Sequence, residues 1–275
     1  MSVSVGSDTS EPKEKRGINS IRVGFRLIRA LLDADRPMTL TELSRAAGMP
    51  TGQAHLYLVS FAGEGLLLHD SRTGSYSLGP TALRLGLGAM RRMDVLDLSQ
   101  EVIDALSART GYNCYVSVWS GLSPVLVQKS ESAESIFPVA LRLGGVVPLL
   151  STVAGLVYVS MLDGPELDEA IARERAGASG RAAAFVERVA EEKMDEIRRR
   201  VREQGCATSD LLARPASSAI AVPVFDYQKR VSCVIGLVGP PGVMDLSLDG
   251  KSVAAVLEAA STLADRIAGS ITPPR

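Results

Sequence analysis

Residues 39–68, TLTELSRAAGMPTGQAHLYLVSFAGEGLLL, leave this chain few ways to fold. Thr39 followed by Glu42 is a capping box, in which each side chain satisfies an orphan backbone donor at the start of a helix. Leu43, Ala46 and Ala47 give that helix an apolar stripe, and Gly48 ends it by taking the left-handed conformation at low cost. Pro50 suits the first position of a second helix, where its missing N–H costs nothing. On that helix Ala54, Tyr57, Leu58 and Phe61 share one face, while Thr51, Gly52, Gln53, His55 and Leu56 lie around the rest of its first turns. Side chains placed there can approach base edges, so the pattern predicts a helix-turn-helix whose second helix reads DNA.

The flanks extend this unit. Ile21, Phe25, Ile28 and Leu32 at helical spacing predict a helix over 18–33, with Arg22, Arg26 and Arg29 on another face. Residues 66–69 and 75–78 predict a hairpin around the tip DSRTGS, a wing on which Arg72 lies near phosphate or a minor groove. A small helical bundle with an incidental turn is the competing reading; the order cap, turn, reading helix, wing favours groove docking. The expected divisions are a flexible tail over 1–16, a winged helix-turn-helix over 17–79, a linker helix over 80–98 and a second domain over 99–275. Leu83, Leu87 and Met90 on the linker are candidate packing positions between subunits.

Charge is divided along the chain. Residues 17–91 carry eight Lys/Arg against five Asp/Glu, and residues 92–275 carry 19 against 23, beneath an overall formal charge of −1. A mildly basic front on an acidic body suits a nucleic-acid module joined to something else. So small an excess also points to an oligomer, which multiplies the basic surface offered to phosphates.

A chain of 275 residues accommodates two cores. Strands predicted at 112–120, 125–130, 136–143, 206–211, 219–225 and 231–238 mostly follow one another. A helix predicted at 101–109 precedes them and helices predicted at 152–162, 166–175, 183–204 and 252–268 gather between or after them, which implies an α+β fold with an antiparallel sheet and helical cover. The longest apolar runs are strand-length, and the first residues lack the apolar core of a signal peptide, so no membrane partner and a cytoplasmic location are expected. Both histidines, His55 and His69, belong to the DNA-reading part, which removes Ser-His-Asp, Cys-His and His-based metal chemistry from the second domain. Cys114, Cys206 and Cys233 form no CxxC pair and read as buried thiols. No cofactor, metal or catalytic activity is expected. An enzyme would have to use Ser209 and Asp210 or Cys114, and a redox sensor the three cysteines.

With these residues laid out, the chain resembles the IclR family of transcriptional regulators over nearly its full length. The matching pieces are INSIRVGFRLIRALLDADRPMTLTELSRAAGMP, the reading helix with His55, EGLL at 64–67 and YSLGPTALRLG at 76–86. LRLGGVVPLLSTVAG, REQGCATSD, AIAVPVFD and VIGLVGP follow in order and spacing. The resemblance implies a winged helix-turn-helix, a GAF-like effector-binding domain, and a homodimer or dimer of dimers that binds a double-stranded operator and answers to small organic acids or aromatic compounds. Family members commonly carry basic or hydroxyl residues at the start of the reading helix and an Arg after the His. Here Thr51, Gly52, Gln53 and Leu56 occupy those places, so phosphate contacts fall to Arg22, Arg26, Arg45 and Arg72.

The same resemblance places the effector-lining positions on Val139, Val147, Val153, Ala154, Ser209, Asp210, Ala219, Gly236 and Val238. Members that take small hydroxy or keto acids have Cys and Ser side chains at the last three positions and often His at the position of Leu150. A wall of Ala, Gly, Val and Leu binds a compact dianion poorly, which implies a mostly apolar or aromatic effector with at most one polar end. Backbone N–H groups near 153–155 can receive that end. The alternative is a filled core that senses no ligand.

Overall fold

Thr39 opens its helix as the spacing requires. In the computed structural model, which describes residues 18–34, 36–90, 94–132, 141–177, 191–212 and 216–270, α1 (Asn19–Ala34) leads into β1 (Met38–Thr39), α2 (Leu40–Ala46) and α3 (Thr51–Gly63). The Glu42 N–H donates to Thr39 Oγ1 at 3.4 Å, and the Thr39 N–H donates to Glu42 Oε2 at 2.8 Å. Gly48 takes φ +61° just past α2. Pro50 is the N-cap of α3, one residue ahead of the first helical position expected for it. The wing is β2 (Leu67–Asp70) and β3 (Ser75–Leu78), with β3 paired to both β1 and β2 in a three-stranded sheet.

Leu27, Ile28, Leu31, Leu43, Ala54, Leu58, Leu67 and Tyr76 form the core of this unit. Two apolar stripes differ from expectation. On α1 the buried face is Gly24, Leu27, Ile28 and Leu31, while Ile21, Phe25 and Leu32 are exposed. The cause is close packing at Gly24, where a Cβ would stand 2.8 Å from the Tyr57 ring, so α1 turns this face to α3. On α2, Ala46 is exposed and Ser44 is buried instead.

The chain divides between Gly88 and Ala89 into two compact units. The linker helix expected over 80–98 is matched by α4 (Pro80–Met90), while its last residues belong to α5 (Asp94–Thr110), which also takes in the helix expected over 101–109; residues 91–93 lie outside the described residues. The start of α5 already belongs to the second core, where Val95, Leu96, Val102, Ile103 and Leu106 are buried.

That core surrounds an antiparallel sheet of β4 (Asn113–Trp119), β5 (Pro124–Ser130), β6 (Ala207–Thr208), β7 (Ser218–Phe225) and β8 (Val231–Gly239), in the order β5-β4-β8-β7-β6. Side chains alternate across it. Cys114, Val116, Val118, Ile220, Val222, Val224, Cys233, Ile235 and Leu237 face α5 and α9 (Lys251–Ser270). Tyr115, Ala219, Ala221, Val234 and Val238 belong to the opposite face, covered by α6 (Val153–Met161), with α7 (Pro165–Gly177) and α8 (Glu191–Gln204) completing the layer. The expected α+β class and antiparallel sheet are present. The strand expected over 206–211 is only two residues long and ends in a 3-10 turn at Ser209–Leu211. Of the strand expected over 136–143, residues 136–140 lie outside the described residues and 141–143 are not strand.

Candidate nucleic-acid interface and effector site

Burial of Ala54 and Leu58 fixes which side of α3 faces outward. The opposite line, one residue per turn, is Gly52, Leu56 and Val59; Leu56 is 69% and Val59 53% exposed. Gln53 and His55 flank this line and are also exposed. Thr51 is exposed, but its hydroxyl lies 3.3 Å from that of buried Ser44, which donates to the Thr41 carbonyl at 3.1 Å. This contact ties the start of α3 to α2 and leaves Gln53 and His55 as the less constrained polar groups.

Arg45 is exposed in the last turn of α2, and Arg22 and Arg26 are exposed on α1. Arg72 projects from the wing with its side chain 85% exposed and a guanidinium nitrogen 4.0 Å from Asp70. Asp70 accepts the Arg72 N–H and the Thr73 hydroxyl, each at 2.9 Å, and these bonds hold its carboxyl below the ordinary range. Val59 was not among the sequence candidates, although its place three residues beyond Leu56 carried the signal.

The sequence-expected effector positions fall in the second unit. Val153, Ala154, Ala219 and Val238 belong to one buried cluster. Ala219 pairs directly with Val238, and Gly236 pairs with both Tyr115 and Ala221. Ser209 is buried, and its hydroxyl accepts the Ala219 N–H at 3.1 Å. Val147 is half-buried against the cluster. Asp210 is exposed, 3.4 Å from Arg200 and hydrogen-bonded by the Thr208 hydroxyl, so its carboxylate serves the surface of α8. Val139 lies outside the described residues.

The loop ahead of α6 is held by Glu174 of α7, whose carboxylate accepts the N–H groups of Leu149 at 2.6 Å and Leu150 at 3.1 Å. Thr152 caps the helix by accepting the Gly155 N–H at 3.0 Å. The N–H groups of Val153 and Ala154 are the open donors of this first turn among the described residues.

Tyr115 is the residue that sequence reasoning missed. A Cβ at position 236 would collide with its ring and hydroxyl, so Tyr115 occupies the space that the glycine leaves over the sheet. Burial pushes the Tyr115 phenol well above its ordinary value, which keeps it protonated. Tyr158 of α6, in the same buried cluster, donates to the Ser117 carbonyl at 2.7 Å. Alternation along β4 carried the signal, because residues 113, 115, 117 and 119 must share one face.

All three thiols are buried, and burial raises each one, that of Cys114 to about 12. Among the described residues no three His, Cys, Asp or Glu side chains cluster as metal ligands, and no helix is long and apolar enough to cross a membrane.

Comparison with known proteins agrees with both units. Residues 20–71 match the family model of the IclR helix-turn-helix domain, and residues 87–265 match that of the bacterial transcriptional regulator IclR C-terminal domain. The chain is 28% identical over 243 residues to the HTH-type transcriptional regulator BhcR of Paracoccus denitrificans, covering 85% of this chain and 82% of that protein. It is 28% identical over 232 residues to the glycerol operon regulatory protein of Streptomyces griseus, covering 82% and 86%. A crystal structure of an IclR homolog from Microbacterium hydrocarbonoxydans, complexed with 4-hydroxybenzoate, has a TM-score of 0.69 at 16% identity, covering 90% of this chain and 98% of that one.

Proposed function

The chain belongs to the IclR family of DNA-binding bacterial transcriptional regulators, and we propose that it reads its operator with Gln53, His55, Leu56 and Val59 of α3. Thr51 and Gly52 let the start of that helix approach the groove, and Arg22, Arg26, Arg45 and Arg72 supply phosphate contacts. The observation that carries this assignment is the outward line of α3: beside a capped α2 and a wing, it exposes side chains that the fold does not use. Gln53 is suited to bidentate pairing with adenine, and Leu56 to a thymine methyl group.

The working form is a homodimer or a dimer of dimers in the cytoplasm. Exposed Ile21 and Phe25 on α1, with Ile18 just ahead of it and Leu83 and Leu87 on α4, offer apolar surface for self-association. The second domain takes a small, mostly apolar or aromatic effector where Val153, Ala154, Ala219, Gly236 and Val238 converge; Val139, Val147, Ser209 and Asp210 belong to the surroundings implied by resemblance. The complex of the Microbacterium relative with 4-hydroxybenzoate supports an aromatic class. Effector binding shifts the populations of arrangements of paired DNA-reading heads and so alters their fit to two half-sites. No catalytic step forms part of this role.

Selection of bound sequences from a random duplex library tests the DNA assignment. A two-half-site motif is expected, with Gln53→Ala relaxing the preference at one base pair; failure to enrich any sequence refutes it. The burial of Val153 and Ala154 favours a second reading, a filled core with no ligand. A thermal-shift series of aromatic compounds and small keto acids separates the two, because only a real site gives concentration-dependent stabilisation.

A further inference from the structure

Four donors on the α6 side of the sheet have no acceptor among the described residues. The Tyr115 hydroxyl makes no hydrogen bond to any described residue, although Tyr115 is only 6% exposed. Asn113, two residues earlier on the same face of β4 and also buried, accepts the Ser132 N–H on its carboxamide oxygen at 3.0 Å, and its NH2 group has no partner among the described residues. The N–H groups of Val153 and Ala154 complete the set. Tyr158 and Ser117, in the same layer, satisfy one another, so this part of the protein is not generally short of acceptors. Open N–H groups are ordinary in a helix first turn, but buried side-chain donors left unpaired are costly, and two of them on one face of β4 point to a missing acceptor.

Strand register brings the side-chain donors beside the apolar wall. Asn113 pairs with Val238, and Val238 with Ala219; Tyr115 pairs with Gly236, and its ring lies over that glycine. The wall positions themselves carry no polar side-chain atoms, whereas the neighbouring strand β4 carries two donors. The set contains no cation and no dedicated acceptor: a carboxamide NH2 and two backbone N–H groups only donate, and a protonated phenol donates to an oxygen.

We propose that Tyr115 and Asn113 grip a carbonyl or carboxylate oxygen at the polar end of the effector, so that the site selects hydrogen-bond acceptors and rejects ammonium groups. This rests on the effector site proposed above. Gly236 is part of the device, because any side chain there would displace the Tyr115 ring. The apolar body of the ligand then lies against Val153, Ala154, Ala219 and Val238.

Isothermal titration of the full-length protein with benzoate, 4-hydroxybenzoate, benzamide and benzylamine tests the proposal, using the wild type, Tyr115→Phe and Asn113→Asp. Asn113→Asp keeps the acceptor for the Ser132 N–H and replaces the NH2 donor. The expected result is binding of the acceptor-bearing probes but not benzylamine, with affinity lowered on the order of tenfold by Tyr115→Phe and further for benzoate by Asn113→Asp. Without a probe, Tyr115→Phe should melt no lower than the wild type, since the hydroxyl it removes has no partner among the described residues. Undiminished probe binding by both variants overturns the proposal and leaves the effector site standing. A lower melting temperature for Tyr115→Phe also overturns it, by showing that the hydroxyl is bonded within the protein. Absence of binding by every probe to the wild type removes the effector reading and this proposal together.

Discussion

Gly236→Ala should destabilise the second domain, even though glycine in the middle of a strand is ordinarily a weakness. The new methyl group would strike the Tyr115 ring and hydroxyl, and Tyr115 is itself enclosed in the buried cluster under α6. Forcing an extra carbon into such a site costs about 1–3 kcal/mol. Gly236 does not use a left-handed conformation, so alanine meets no backbone penalty and recovers about 0.4–1 kcal/mol by restricting the unfolded chain. The balance is a net loss of about 1–2 kcal/mol, or a fall of about 2–8 °C in melting temperature for a domain of this size.

The protein supplies its own probe. Its one tryptophan, Trp119, belongs to β4 with its ring 6.0 Å from that of Tyr158, so fluorescence melting follows the second domain alone. In a Tyr115→Leu background the same Gly236→Ala change should become neutral or stabilising, because the obstructing ring is gone. Equal effects of Gly236→Ala in the two backgrounds, or no effect in the wild type, would refute the account of Tyr115 filling the space over Gly236.

Further expectations concern other parts of the chain. Hydrogen bonds from Arg36 and Thr39 hold the Glu42 carboxyl at about 2 instead of its usual 4.5, so its contribution is complete above the usual value and is lost as pH falls toward 2. Circular-dichroism melts at descending pH should therefore show Glu42→Gln losing less stability than the wild type across that window. The native protein should resist a thiol reagent at mildly alkaline pH and expose three reactive thiols on unfolding, since all three cysteines are buried and raised. Leu56→Ala should relax operator preference at a thymine while leaving the salt dependence of binding unchanged. Arg72→Ala should instead weaken all sequences alike and lower the salt slope by about 1 per head, both read from binding isotherms.

Local rules carried most of the first domain. Capping box, left-handed glycine and hairpin depend on residues within a few positions of one another, and all are formed. Periodicity does not give the buried face of α1, because that face is decided by Tyr57, 33 residues beyond Gly24, whose ring needs the space that the glycine leaves. The end of the linker is hidden for a similar reason: Val95 and Leu96 continue a helical pattern but are claimed by a different core. In the second domain, alternation gave the strands, whereas the partner of Gly236 depended on register between β4 and β8. Sequence alone showed polar side chains missing from the wall. Only strand pairing showed a tyrosine occupying that space, its hydroxyl unbonded among the described residues.

The small positive charge of the DNA-reading unit bears on oligomeric state through a measurable quantity. Four arginines, Arg22, Arg26, Arg45 and Arg72, are the proposed phosphate contacts, so one head neutralises at most four phosphates. Counterion release then gives a slope of log affinity against log salt of about −3.6 for one head and about −7 for two acting together. Raising salt fourfold should cost a single head about a hundredfold in affinity and a pair about ten-thousandfold. A slope near the smaller value at a two-half-site operator would mean that the heads bind independently, or that the arginines on α1 are occupied at a subunit contact. The second case is separable, because Arg22→Ala would then alter dimer dissociation but not the salt slope. Arg22 stands beside the exposed Ile21 and Phe25 of α1 and Ile18 just ahead of it, so one surface can serve phosphate or partner subunit, and the slope tells which.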